Sequence, residues 1–333
     1  MEPLTLAKQR AKTRVGAWYA LWYDALKEGS FWDNEGTGQV IRYKPLLPDG
    51  TYGRHDSGDE AVIRFHIEEI AKAGIDFLIF DQTNDIDARN ITGQTWINDN
   101  SIKTAKAIWE WNKVPGNRRL EYCSSIGTFA SVDKATMLPV VDKMFWVIEE
   151  EAKKLYERYM MEPWGESHVL VNGKPLMVVF TLTQAEWESY AKDHETPWTD
   201  KFELRFAIGH AYDPGYWGWV IPFGATVTED VCCIIPGWFK LNHPFEKVYR
   251  DRGRAYQDNW ERLLRSETIP NFVVINSINE YAEHTGVFPA VTEDFPEDYP
   301  IERWLNPDGD EEPTLYWDMT KKYIDKYRKG DRI

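Results

Sequence analysis

Seven short runs rich in β-branched and aromatic residues recur along the chain, each separated from the next by a longer stretch with helical spacing, and few folds accept that alternation. The runs are VGAWYALWY (15–23), IDFLIFDQT (75–83), LEYCSSIGTF (120–129), PLMVVFTL (175–182), ELRFAIGHAY (203–212), VCCIIPGW (231–238) and NFVVINSI (271–278). Between them lie helical patterns. The clearest is DEAVIRFHIEEIAKAG (59–74), with Ile63, Ile67, Ile70 and Ala71 on one face and Gly74 where a helix stops. Others fall near 102–111, 138–160, 184–194, 254–266 and 320–329. Strands that alternate with helices build a parallel sheet covered by those helices. In 333 residues the pattern predicts an α/β chain folded as a single (β/α)8 TIM barrel with long strand-to-helix loops, one domain over 1–333. Its eighth strand is expected in the irregular stretch 288–315. No linker, repeat or low-complexity tract interrupts the chain.

Composition removes several classes of function. With 39 basic against 54 acidic side chains the net charge is −15, which repels phosphate backbones, so no nucleic-acid partner is expected. Three cysteines, Cys123, Cys232 and Cys233, cannot build a disulfide framework and match no zinc-site spacing; they read as buried thiols. No metal or cofactor is expected, because neither a P-loop nor a dinucleotide glycine loop occurs and the acidic stretch 293–312 lacks calcium-loop spacing. No run approaches the roughly 18–20 apolar residues of a membrane span, so no membrane insertion is expected. The first residues, MEPLTLAKQRAKTR, lack the apolar core of a signal peptide. The expected location is secreted or periplasmic if a leader was removed, and otherwise cytoplasmic.

The aromatic content, 16 Trp, 17 Tyr and 15 Phe, is high for an acidic protein and points to carbohydrate: sugar C–H faces stack on aromatic planes while carboxylates and amides take the hydroxyls. In a barrel the chemistry sits at the C-terminal strand ends. The polar and aromatic residues following the runs are therefore the candidates for substrate contact: Trp22, Tyr23, Asp81, His210, Tyr212, Asp213, Trp238, Asn279, Tyr281 and His284. Trp217 and Trp219 join Trp22, Tyr23 and Trp238 as candidate sugar platforms, two or three of which should be exposed. His66, on the inward face of its helix, reads as core. The sharpest cluster is VVINSINEYAEHTG, where Glu280 and Glu283 stand three residues apart beyond a strong strand. In a turn-like backbone that spacing puts both carboxyls on one face, and glycosidic cleavage needs such a pair, one protonated and one ionised.

The segment NEYAEHTG (279–286) resembles the Asn-Glu-Trp-x-Glu segment of glycoside hydrolase family 99, the endo-α-mannosidases and endo-α-mannanases, and YKPLLPDGTYGRHDSGDEAVIRFHIEEIAKAGIDFLIFD (43–81) is similar to that family's early stretch. The closing TLYWDMTKKYIDKYRK is a weaker match. The resemblance implies a retaining barrel glycosidase in which the first Glu deprotonates the sugar's own 2-hydroxyl to give a 1,2-anhydro intermediate, and the second protonates the leaving group and then activates water. By position, Glu280 is the base and Glu283 the acid/base. Three departures stand out: Tyr281 replaces the family's Trp, Ala282 stands where His is frequent, and Asp81 to Asp85 replaces a Trp-rich strand end. Mannose specificity is therefore not implied.

The expected function is polysaccharide degradation in carbohydrate metabolism, by hydrolysis of a poly- or oligosaccharide. Two alternatives stay open: a non-catalytic glycan-binding barrel and a protein of surface-polysaccharide biosynthesis. The basic residues between 240 and 265 read as a solvated face or as a cationic rim for an acidic polysaccharide.

Overall fold

The computed structural model describes residues 3–24, 32, 41–83, 86, 96–127, 141–180, 182–207, 215–218, 226–240, 247–293 and 302–333. In chain order the strands are β1 (Arg14–Ala20), β2 (Tyr43–Pro45), β3 (Phe77–Gln82), β4 (Glu121–Ile126), β5 (Leu170–Val171), β6 (Lys174–Phe180), β7 (Glu203–Ala207), β8 (Val231–Ile234), β9 (Phe272–Ile275) and β10 (Ala290–Thr292). The α-helices are α1 (Pro3–Arg10), α2 (Glu60–Lys72), α3 (Trp96–Lys113), α4 (Val141–Leu155), α5 (Gln184–Ala191), α6 (Arg254–Arg265) and α7 (Leu315–Lys329).

Each of the seven apolar runs yields one parallel strand. They hydrogen-bond side by side in the order β7-β6-β4-β3-β1-β9-β8, so nearly every strand lies beside its neighbour in the chain. The short β5 adds an antiparallel hairpin to β6. Alternation divides the residues of each strand between two cores. Trp18, Phe77, Ile79, Cys123, Val178, Cys233 and Val274 share the core inside the curl. Tyr19, Leu78, Phe80, Met177 and Ile275 belong to the core that the helices cover. Gly16 is required on the inner face, because a Cβ there would lie 2.2 Å from the Phe77 ring.

The helix over 60–72 follows from its sequence. Asp59 caps the free N–H groups of Ala61 and Val62, Ile63, Ile67, Ile70 and Ala71 are buried, and Gly74 leaves the helix with φ +86°. All three cysteines are buried and unpaired.

The barrel is not closed among the described residues, and those of 288–315 add no eighth strand to the parallel ladder. Within 288–315 the strand that forms is β10, which pairs antiparallel with β2 and stays off the parallel ladder. The break in the ladder lies between β7 and β8. Residues 215–218 enter that seam: Trp217 N–H donates to Phe206 O at 2.9 Å, and Cys233 Sγ lies 3.1 Å from Tyr216 O. Arg205 on β7 then reaches Asp230, next to β8, with its Nε 3.0 Å from Oδ2. Among the described residues these contacts take the place of ladder bonds between β7 and β8. The seam opens on a cavity of about 770 Å³ lined in part by Trp187, Arg205, Tyr216 and Asp230.

Candidate active site

β9 is prolonged by one ladder bond, from Asn276 N–H to Ile234 O at 2.8 Å, and the chain then turns sharply over 277–287. That turn holds itself. Ser277 Oγ accepts from Glu280 N–H at 2.8 Å, and the Glu280 carbonyl accepts from Thr285 and Gly286 N–H at 3.0 and 2.9 Å. The Glu280 carboxyl bends back so that Oε1 accepts from Ala282 N–H and Oε2 from Glu283 N–H, each at 2.9 Å.

Two residues from the end of β1 tie this turn down. The Asn279 amide pairs with both backbone groups of Ala20, at 2.7 and 2.9 Å. The Tyr23 hydroxyl donates to Asn279 O at 2.9 Å and accepts from Tyr281 N–H at 3.0 Å. Neither side chain is accessible to solvent. The structure thus gives Asn279 and Tyr23 a supporting place rather than the sugar-facing one expected, because the backbone of the turn consumes their polar atoms.

Glu283 projects towards the loop after β8. Trp238 Nε1 donates to its Oε2 at 3.1 Å, Lys240 Nζ lies 3.2 Å from its Oε1, and Phe239 N–H holds its carbonyl at 3.1 Å. Its side chain keeps 22% exposure, whereas Glu280 is buried. Asp81, at the end of β3 and in register with Ala20 and Ser125, completes the group of acids. One of its oxygens accepts from the hydroxyl and N–H of Thr83 at 2.7 and 3.2 Å. Burial, with a smaller push from Glu283, raises the Asp81 carboxyl to about 7 even though those hydrogen bonds oppose it. Burial first, then Glu283 and Asp81, push Glu280 up to about 8 against the pull of its two backbone N–H donors.

The remaining expected contacts among the described residues are buried, Trp238 against Glu283. Tyr281 is fully buried, its ring packed near Tyr23, Trp32 and Tyr43. His284 has φ +59°, and its Nδ1 meets Tyr43 Oη at 3.1 Å. Burial, then Arg250 and Lys247, lower its imidazole to about 3, so it is neutral near pH 7 and adds no charge beside Glu283. Trp22, Tyr23, Trp217 and Trp238 are all buried, which corrects the expectation of exposed platforms. Trp217 bridges the inner core, accepting from Trp18 Nε1 at 2.7 Å and donating to Asp230 at 2.8 Å, and the Trp22 carbonyl accepts from Trp96 Nε1 at 3.1 Å. His66 is core, as expected, with its Nδ1 2.7 Å from Tyr19 Oη. His210, Tyr212, Asp213 and Trp219 lie outside the described residues.

From the sequence, Lys240 and Arg250 belong to the basic stretch read as a solvated face or a cationic rim, with no contact to the turn foreseen. Arg250 is buried, stacks over Tyr316, and donates through Nη2 to His284 O and Gly286 O at 2.6 and 2.8 Å, closing the far end of the turn. The contact between Lys240 and Glu283 joins residues 43 positions apart, and no local pattern announces it. Among the described residues no group of three or more His, Cys, Asp and Glu could hold a metal ion, and no helix is long and apolar enough to cross a membrane.

Solved structures share this fold. The glycoside hydrolase family 99 endo-alpha-mannosidase from Bacteroides thetaiotaomicron, in complex with BIS-TRIS-propane, superposes with a TM-score of 0.64 at 18% identity, over 95% of this chain and 98% of that one. A second structure of an endo-alpha-mannosidase of that family and organism gives 0.60 at 16% identity, covering 96% and 99% of the two chains. A glycoside hydrolase-like protein gives 0.54 at 14% identity, with 94% of each chain covered. No family model matches the sequence, and no curated protein matches it. Together the strand ladder and these superpositions establish a fold like that of the family 99 endo-alpha-mannosidases.

Proposed function

We propose that the chain acts as one barrel domain and is a retaining glycoside hydrolase cleaving a poly- or oligosaccharide, with Glu280 as base and Glu283 as acid/base. The observation that carries this reading is the self-braced turn at the C-terminal end of β9. It holds Glu280 buried and Glu283 partly exposed on one short segment, with Asp81 close enough for its charge to reach Glu280. A turn built only for stability has no use for a buried Glu280 beside a buried Asp81, since burying each costs desolvation. The superposition on endo-alpha-mannosidases supports the reading at the level of fold.

Glu280 takes the proton of the sugar's 2-hydroxyl while that oxygen attacks C1. The C1–O bond to the leaving group breaks as Glu283 delivers its proton to the departing oxygen. Water, deprotonated by Glu283, then opens the 1,2-anhydro ring at C1, and Glu280 returns its proton to O2. A carboxylate of raised proton affinity suits the removal of a hydroxyl proton. In the free protein, however, it is Glu280 that burial drives towards the protonated form, and Glu283 that is ion-paired with Lys240. Cleavage by these steps starts from an ionised Glu280 and a Glu283 that carries the proton.

The test is a screen of the purified protein against plant, fungal, bacterial and marine polysaccharides, with products identified by mass. Glu280→Gln and Glu283→Gln should each lower kcat by at least about 10³-fold while preserving the melting temperature and glycan affinity. Full activity in both variants would remove the assignment.

A further inference from the structure

The connection from β8 to α6 brings cations to the side of the site that holds Glu283. Lys240 Nζ lies 3.2 Å from Glu283 Oε1, and both side chains are partly exposed, at 29% and 22%, so that a ligand reaching the acid also reaches the ammonium. Lys247 stands over the Phe239 ring at 5.2 Å, and that ring meets His284 edge-on at 5.5 Å. Arg250 lies behind them, buried, its Nη2 on two carbonyls of the catalytic turn. Glu302 faces Lys247 but spends its carboxylate on the backbone N–H groups of Arg250 and Asp251, at 2.7 and 3.2 Å. Lys240, Lys247 and Arg250 thus gather on one side of the site in a chain of net charge −15.

We propose that Lys240, backed by Lys247 and Arg250, binds an acidic substituent of the glycan, so that the substrate is a saccharide carrying uronate carboxylates or sulfate esters. This rests on the glycosidase reading of the same site. An ammonium on a flexible stem acts as a point charge and accepts either anion.

Binding and cleavage are to be measured separately on the full chain. The probes are oligosaccharides of pectin, alginate, carrageenan and fucoidan, each beside its carboxyl-reduced or desulfated counterpart. Calorimetry should show at least one acidic probe binding at least about tenfold more tightly than its neutralised form, with the preference weakening as salt rises. Lys240→Met should collapse that ratio to about one, and Lys240→Arg should keep most of it. The uronate and sulfate arms identify which anion is recognised. Equal or better binding of every neutralised probe, or a preference that survives Lys240→Met, overturns the proposal. A preference abolished by Lys240→Met but unaccompanied by products would uphold anion recognition and reject the hydrolase reading instead.

Discussion

The turn that leaves β9 and the seam between β7 and β8 are the two places where regular pairing gives way to other bonds, and they are built in opposite ways. At the turn almost every polar group answers to a buried partner: Asn279 to the Ala20 backbone, Tyr23 to both sides of Glu280, and Arg250 to the carbonyls beyond Glu283. At the seam a partly exposed ion pair and a few contacts from residues 215–218 stand in for a strand. The difference teaches where this fold spends its bonding precision. A carboxyl that must meet a reacting atom is fixed by several short hydrogen bonds, because a displacement of about 1 Å can cost about 10²-fold in rate. A sheet edge that only has to stay covered tolerates side-chain substitutes.

Breaking the turn should have the largest effect. Asn279→Ala leaves the Ala20 N–H and C=O buried without partners and frees the residue before Glu280, so kcat should fall about 10²-fold and stability by about 2–4 kcal/mol. Enzyme assays combined with urea unfolding would check both figures, and unchanged kcat would show that Glu280 does not depend on this anchor.

A second effect, of intermediate size, comes from the groups buried around the turn. The folded-state values of Glu280, about 8, and Asp81, about 7, lie above the ordinary 4.5 and 3.8. The unfolded chain therefore releases protons first, and stability is lost as pH rises from about 4 to about 8. The buried imidazoles act on the other flank. His55 and His168 are lowered to about 4 and His284 to about 3, mainly by burial, so stability is lost as pH falls below the ordinary 6.5 towards those values. The melting temperature should peak near pH 6, and Glu280→Gln should flatten the alkaline flank by an amount of the order of 5 °C. An alkaline flank identical to that of the wild type would place the titrating groups elsewhere.

The seam should respond least. Arg205→Ala removes the link to Asp230 and should cost about 1–2 kcal/mol, with kcat within about twofold of the wild type. A large loss of kcat would mean that the seam, too, positions the acids.

Much of this contrast was legible in the chain. Fully buried parallel strands read as continuous apolar runs, which is why all seven appear, and α2 announced itself through its isoleucine stripe and Gly74. The glutamate pair was visible because it follows such a run directly. The break in the described ladder between β7 and β8 was not, since residues 215–218 reach Phe206 and Cys233 without a β-rich run of their own. Exposure was misjudged for the aromatic residues at the strand ends because composition records their number and not their partners. Trp217, for instance, is committed to Trp18 and Asp230. Long-range pairings such as Lys240 with Glu283 or Arg250 with His284 leave no periodic trace.

The division of labour between the two glutamates is tested most directly with glycosyl fluorides or nitrophenyl glycosides of the cleaved sugar, whose leaving groups depart without a proton donor. Glu283→Gln should regain a burst of cleavage on such substrates, limited afterwards by slow opening of the intermediate, while Glu280→Gln should stay inactive on them. Rescue of Glu280→Gln with none for Glu283→Gln would reverse the roles, and rescue of neither would contradict acid–base catalysis by this pair.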